Sequence, residues 1–559
     1  MTQKEPAIRS YDDDIRHSSP HALLRGLGLA KEDLKKPRVA IINTWNSINP
    51  GHVHLDTLAE FVKEGILEAG GLPFNFNITN ICDGIGAGPY ILASRDLMCN
   101  EIETIMDGCQ LDAMVLLATC DKNVPGILMG AARMDLPAVI VTGGYMQTSY
   151  EIDGSIVDGI TIGNSCGAVT EGCMTMEQLE HQMDIACPAP GACGFMGTAN
   201  TMCTLTEAMG MSLPGNATLP AISTHLKITA REAGRRVMEL WRKGITARQI
   251  ITKESVTNAI KVCMAIGGST NTMMHIPAVA AEAGLDMDCW DVYDQASHEI
   301  PLLMNVRPTG AYTMFDFDQA GGLRALMHEI QDHLNLDCVG VNGKTVKENI
   351  AGHKTPYPET IRPMDNPFTK DGGICILKGN IAPDGCAAKQ STFPRNMLKF
   401  RGPAKVFFSN QEACEALRAG KIQAGDAVVI MMMGAKAGPG MLSAYGFTSE
   451  LAGTSLWDKV CLITDGRFSG AAKGAITGYC SPEAGLKGPI CAVRDGDIIT
   501  YDVEARTINV ELSDQEIAQR VKEFDREVVY YDGFIGMYQK TVTSLKTGAV
   551  LRPTGPRKS

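Results

Sequence analysis

No stretch of the 559-residue chain approaches the ~20 uninterrupted apolar residues that a bilayer span needs. The longest candidates, such as 427–433, have the length of a core strand. A long Lys/Arg run is also missing. Lys and Arg total 51 against 63 Asp and Glu, a formal charge of −12, which argues against nucleic acid or an anionic membrane surface as the main partner. The first 18 residues carry acids where a secretory signal has a basic segment and an apolar core, so the expected location is the cytoplasm. No internal repeat or low-complexity segment is present, and the glycines at 84, 86 and 88 lack the GxGxxG spacing of a dinucleotide loop.

With 45% apolar and 20% charged residues the composition is that of a folded globular protein, and the length calls for at least two domains. Residues 38–46, 112–119 and 137–143 are short apolar runs ending in polar, turn-like residues, the pattern of parallel strands buried on both faces. The first two flank a helical pattern over 54–69 that stops at Gly70-Gly71, and the third follows one at 126–134. Helical spacing returns at 223–248 and 254–283. After about residue 370 the chain becomes β-like, with strands expected at 373–378, 404–409, 427–432, 460–464 and 490–493 and a hairpin over 495–512. The fold class is therefore α/β: a layered domain with a parallel sheet over 1–370, then a β-rich, barrel-like domain over 371–559, joined through a Pro-bearing stretch at 355–367.

Eighteen cysteines are spread along the chain, and for any one of them the plain reading is an apolar filler. Three segments stand apart. Thr119-Cys120-Asp121-Lys122-Asn123 ends an apolar strand, where open α/β sheets place ligands. In 186–202, Cys187 and Cys193 flank a Pro/Gly turn before a helix expected near Thr198. Thiolates beside free backbone N–H groups suit an iron–sulfur cluster; zinc competes, but CxxC pairs are absent. In 463–470 a strand runs into a glycine-bounded turn with Ser469 between Phe468 and Gly470, accessible as a catalytic hydroxyl must be. The turns at 267–271 and 438–440 could offer N–H groups to a carboxylate or phosphate, or be plain tight turns. His52 and His54, two apart, do not share a helix face and read as cap or helix-surface residues. Met431-Met432-Met433 reads as strand core.

Together, Cys120-Asp121-Lys122, the segment 188–202, GGSTN at 267–271, GNIAPDG at 379–385, AGPGM at 437–441 and the TDGRFSG and SPEAG motifs within 464–485 resemble the dihydroxy-acid and sugar-acid dehydratases, in register from about residue 20 to beyond 520. The resemblance implies a hydro-lyase that turns a 2,3-dihydroxy carboxylic acid, branched-chain or aldonic, into a 2-keto acid. It implies a homodimer or homotetramer with the site between the domains, and an iron–sulfur cluster beside a Mg²⁺ ion. Cys120 and Cys193 match cluster ligands, Asp121 and Lys122 metal ligands (the lysine as a carbamate), and Ser469 the base. A homologue of a different class, keeping the cluster for structure or sensing without turnover, is the alternative.

Some positions depart from the family pattern. Where [2Fe–2S] members carry a cysteine, this chain has Asn49-Pro50-Gly51, which favours a [4Fe–4S] cluster with Cys82 as first candidate for the third thiolate, Cys187 as second, and Cys166 and Cys173 behind them. The loop over 82–95 is about four residues short before Ser94-Arg95. Met433 and Ser443 stand where the family has glutamates, which lowers the charge offered to a hard cation.

Overall fold

The computed structural model describes residues 18–86, 88–170, 172–469 and 472–552. The N-terminal stretch read above for targeting lies outside them up to residue 17. Four parallel strands, β1 (Arg38–Asn43), β2 (Leu72–Asn77), β3 (Ala113–Ala118) and β4 (Ala138–Thr142), form a sheet in the order β2-β1-β3-β4. β3 and β4 are buried along their whole length, as their unbroken apolar runs require. β2 is the edge strand, and its sequence LPFNFN, with a proline and two asparagines half in water, gave no strand signal. A helix, Leu55–Glu68, links β1 to β2 and ends at Gly70, whose φ of +84° closes the turn. The helix Leu55–Glu68 packs on Thr224–Lys243, whereas the next helices, Tyr90–Gly108 and Asn123–Met134, pack on each other. Because β2 and β3 flank β1 on opposite sides, the strand order reverses at β1/β3, and the C-terminal ends of those two strands border a crevice.

After a small hairpin, β5 (Ser149–Tyr150) with β6 (Ile156–Val157), the chain is helical up to Ile350, with the expected helices at Thr198–Ala208, Thr224–Lys243, Lys253–Ala265 and Thr272–Ala283. Eight strands then close a barrel: β7 (Cys375–Gly379), β8 (Ala382–Ala388), β9 (Lys399–Phe407), β10 (Ala427–Ile430), β11 (Cys461–Thr464), β12 (Ala475–Ser481), β13 (Ile498–Asp502) and β14 (Thr507–Val510), in the order β10-β11-β12-β8-β7-β14-β13-β9. Alternation sorts the barrel's side chains. Ala427, Val429, Cys461 and Ile463 fill its inside, while Val428, Ile430 and Leu462 face outward into the larger core, which includes Ala413, Leu417, Phe447 and Leu451 of the helices beside the barrel. On its outer wall the barrel meets the N-terminal region where β7 packs against the helix Cys289–Glu299.

Two β expectations fail. Residues 490–492 belong to a 3₁₀ turn, Pro489–Ala492, with Val493 just past its end: Pro489 opens the turn, and its apolar residues join the core inside the barrel. Met431-Met432-Met433 lies beyond β10, and Met432 has a φ of +65°, which a strand cannot hold. Its N–H and that of Met433 donate to Asp465 instead (3.2 and 2.9 Å).

Candidate active site

Strand β3 delivers Thr119, Cys120 and Asp121 to the crevice, and Lys122 caps the helix Asn123–Met134, whose first N–H groups donate to the Cys120 carbonyl. Across the crevice the segment after β1 returns through Asn49, Gly51 and His52. His52 is no surface residue. It is fully buried, donates Nδ1–H to the Thr44 carbonyl (2.8 Å), and accepts the Cys120 backbone N–H at Nε2 (3.0 Å) and the Asn123 amide (3.2 Å). Burial lowers its pKa to about 3, so it stays neutral and keeps the Nε2 lone pair for Cys120. His54 does precede its helix, as expected of a cap, but its Nε2 reaches the Gly143 carbonyl (2.7 Å) instead of capping.

Thiols gather here. The Cys120 Sγ donates to Asn49 Oδ1 (3.4 Å), and a Cβ added to Gly51 would fall 2.3 Å from that sulfur, so the missing side chain at 51 is what leaves room for it. Cys82, on a tight turn whose carbonyl takes the Gly86 N–H (2.7 Å), shares a hydrogen bond with the Cys120 thiol. That bond brings the Cys82 pKa down to about 7 and raises that of Cys120. Cys187 and Cys193 are exposed and close enough for their charges to bear on Cys82, and Cys193 also bears on Cys120. The Cys193 turn is pinned by Asn200, in the helix Thr198–Ala208, whose amide donates to the Cys193 and Phe195 carbonyls (2.6 and 2.7 Å). Cys166 lies in the helix Gly159–Thr170 and Cys173 in the turn after it, both exposed.

Beside the thiols stands a knot of charge that the sequence did not announce. Lys122, fully buried, reaches Asp83 (3.3 Å) and Asp121 (3.9 Å), and Arg467 of the TDGRFSG motif grips the same Asp83 with two N–H groups (2.9 and 3.1 Å). Burial alone would raise the Asp83 carboxyl, but Arg467 and Lys122 hold it well below the usual carboxylate range. Burial raises Asp121 to about 6 and lowers Lys122. The Arg467 backbone is strapped to the AGPGM loop through Leu442 and Ala444, so one ion pair ties the barrel rim to the turn that carries Cys82. Two residues further on, Ser469 sits half-buried at the same rim. Non-glycine residues with left-handed backbones, Met432, Met441 and Tyr479, crowd this rim, as strained residues do at functional sites.

The GGSTN turn proves internal. The N–H groups of Gly267, Gly268, Ser269 and Asn271 are taken within the protein, and Asn271 accepts the Tyr479 hydroxyl (2.7 Å), locking barrel to helices. Gly438 and Gly440 likewise spend their N–H groups on Gly434 and Ala435, so both segments are tight turns rather than anion cradles.

These features define a two-domain α/β protein whose site lies where a parallel sheet's strand ends meet a barrel rim, lined by thiols on one side and ion pairs on the other. Residues 36–349 match the family model described as dihydroxy-acid/6-phosphogluconate dehydratase N-terminal, and 359–549 the corresponding C-terminal one. The chain is 44% identical over 540 residues, 96% of its length and 98% of the relative's, to a dihydroxy-acid dehydratase of Methanothermobacter thermautotrophicus. It is 45% identical over 545 residues (96% and 98%) to one of Caldanaerobacter subterraneus subsp. tengcongensis, and 44% identical over 540 (95% and 98%) to one of Halothermothrix orenii. The chain belongs to the dihydroxy-acid/6-phosphogluconate dehydratase family. Among the described residues no helix is long and apolar enough to cross a membrane.

Proposed function

We propose that the chain removes water from a 2,3-dihydroxy carboxylic acid and releases the 2-keto acid. The observation that carries this reading is end-to-end similarity to proteins named dihydroxy-acid dehydratase, which favours a branched-chain dihydroxy acid over an aldonic acid as substrate. The reaction breaks the C2–H and C3–O bonds, the hydroxyl leaves as water, and the resulting enol takes a proton at C3 to become the keto acid.

The donor set suits an iron–sulfur cluster. Cys120, Cys193 and Cys82 would hold it, with Cys187 beside them, in the cradle that Gly51 leaves open, and the absence of a thiol at 51 favours [4Fe–4S] over [2Fe–2S]. When bound, such a cluster supplies a Lewis-acid iron that needs no redox change. The protein's own residues do the rest. Ser469 Oγ takes the C2 proton, and the buried His52 fixes the Cys120 backbone. The residues do not suit a Mg²⁺ ion: Asp83 and Asp121 already face Lys122 and Arg467, and Met433 and Ser443 bring no carboxylate. The spread of the eighteen cysteines along the chain, unlike the dense framework of a small secreted domain, fits a cytoplasmic setting, and the family resemblance a homodimer or homotetramer.

The test is anaerobic purification followed by a keto-acid assay over a panel of branched-chain dihydroxy acids and aldonic acids. Turnover of a branched-chain substrate is expected. Turnover of aldonic acids alone would move the substrate assignment, and none on any member would overturn the function.

A further inference from the structure

The ion-pair knot beside the thiols has a composition of its own. Asp83 uses both carboxylate oxygens on Arg467 and one of them also on Lys122, and Lys122 lies within reach of Asp121. The charged side chains that bear on Lys122 are these three, giving two carboxylates against two cations. His275, the nearest other titratable ring, is buried on the helix Thr272–Ala283 and held neutral by burial and by Lys122, Arg95 and Arg467. The two positions where the resemblance puts further carboxylates are committed elsewhere. Met433 is buried with its N–H on Asp465, and the Ser443 hydroxyl accepts the Tyr445 N–H (3.2 Å). Among the described residues no three His, Cys, Asp or Glu side chains, the crevice thiols included, converge on a point that could hold a single metal ion.

We propose that in this chain Lys122 and Arg467 are resident cations that take the place of the divalent ion, so that Lys122 stays a free ammonium and the site binds no Mg²⁺. The physical reason is charge. Mg²⁺ requires a near-octahedral oxygen shell with carboxylates to offset it, and here the carboxylates are already offset. Admitting the ion would pull Asp83 away from two cations, one of them fully buried, and leave them without a counter-charge. A carbamate on Lys122 would instead place a third negative group at the site and reopen it to a cation.

The inference rests on the site assignment made above, but its readouts do not use turnover, so an inactive protein would sink the proposed reaction and leave this inference standing. The anaerobically purified full-length protein, shown by a cooperative melt to be folded, is analysed for magnesium, titrated calorimetrically with MgCl₂, and examined by ¹³C NMR after equilibration with ¹³C-bicarbonate. Magnesium far below one ion per chain, no saturable heat and no carbamate carbon signal are expected. One tightly held magnesium per chain, a saturable binding isotherm, or a carbamate signal that vanishes in Lys122→Arg would each overturn it.

Discussion

The molecule holds cysteines in two settings, the barrel interior and the strand-end crevice, and treats them differently. Cys375, Cys386, Cys461 and Cys480 point into the barrel among Leu377, Val429 and Ile463, all but sealed from water, and burial pushes the Cys375 thiol up to about 12. Such thiols are small apolar fillers that resist ionising. At the crevice, tight turns and polar neighbours surround the sulfurs, and the bond from Cys120 brings Cys82 down to about 7, within reach of a thiolate near neutral pH. Cys120, through its bond to Cys82 and burial, and Cys187 and Cys193, through burial, stay above the ordinary thiol value. The residue type is the same in both places; its neighbours decide whether it packs or binds.

The sharpest way to break that contrast is to replace one thiol from each setting. Cys120→Ser is expected to bleach the visible absorbance of anaerobically prepared protein and reduce keto-acid formation to background, whereas Cys461→Ser should leave both in place; bleaching by the barrel variant would erase the distinction. Next in size, Ser469→Ala should slow turnover by about 10²- to 10⁴-fold, the usual worth of a general base, with the absorbance unchanged. Near-normal turnover would remove Ser469 from the chemistry.

The remaining effects are on stability. Asp83→Asn leaves Lys122 and Arg467 without their shared partner and should cost about 3–5 kcal/mol in chemical denaturation; a change under ~1 kcal/mol, typical of an exposed pair, would mean that water already screens the knot. Glu483, buried at the barrel rim with its carboxylate on the Lys436 and Ala437 N–H groups, is raised to about 7 by burial and then by Asp465. A buried acid raised in the folded state favours folding fully below its unfolded pKa of 4.5 and loses that contribution as pH climbs through about 7, here about 3 kcal/mol. Glu483→Gln should flatten the fall in unfolding free energy between those limits, and an unchanged slope would assign the fall to other groups. The smallest effect is that of Cys461→Ser on stability, about 1–3 kcal/mol for an unsatisfied hydroxyl in the barrel core.

Much of the fold was legible in the sequence because burial on both faces leaves unbroken apolar runs, as in β1, β3 and β4, and the crevice position of Cys120 was legible because it follows β3 closely. The strands that escaped notice break that rule. β2 is a half-wet edge, β8 contains Pro383 and Gly385, and β12 is interrupted by Gly478 ahead of a left-handed Tyr479. His52 and the Asp83–Arg467 pair were hidden for another reason. Their partners lie 68 and 384 residues away along the chain, a separation that no local pattern encodes. The available signals were indirect: a histidine beside the glycine that makes room for a thiol, and an aspartate next to Cys82.

The most direct single measurement is iron and acid-labile sulfide per chain in anaerobically reconstituted protein, with Cys120→Ser alongside. Bound iron and sulfide with a visible chromophore in the wild type, and neither in the variant, is the expected result. A wild-type protein that stays colourless and iron-free contradicts it.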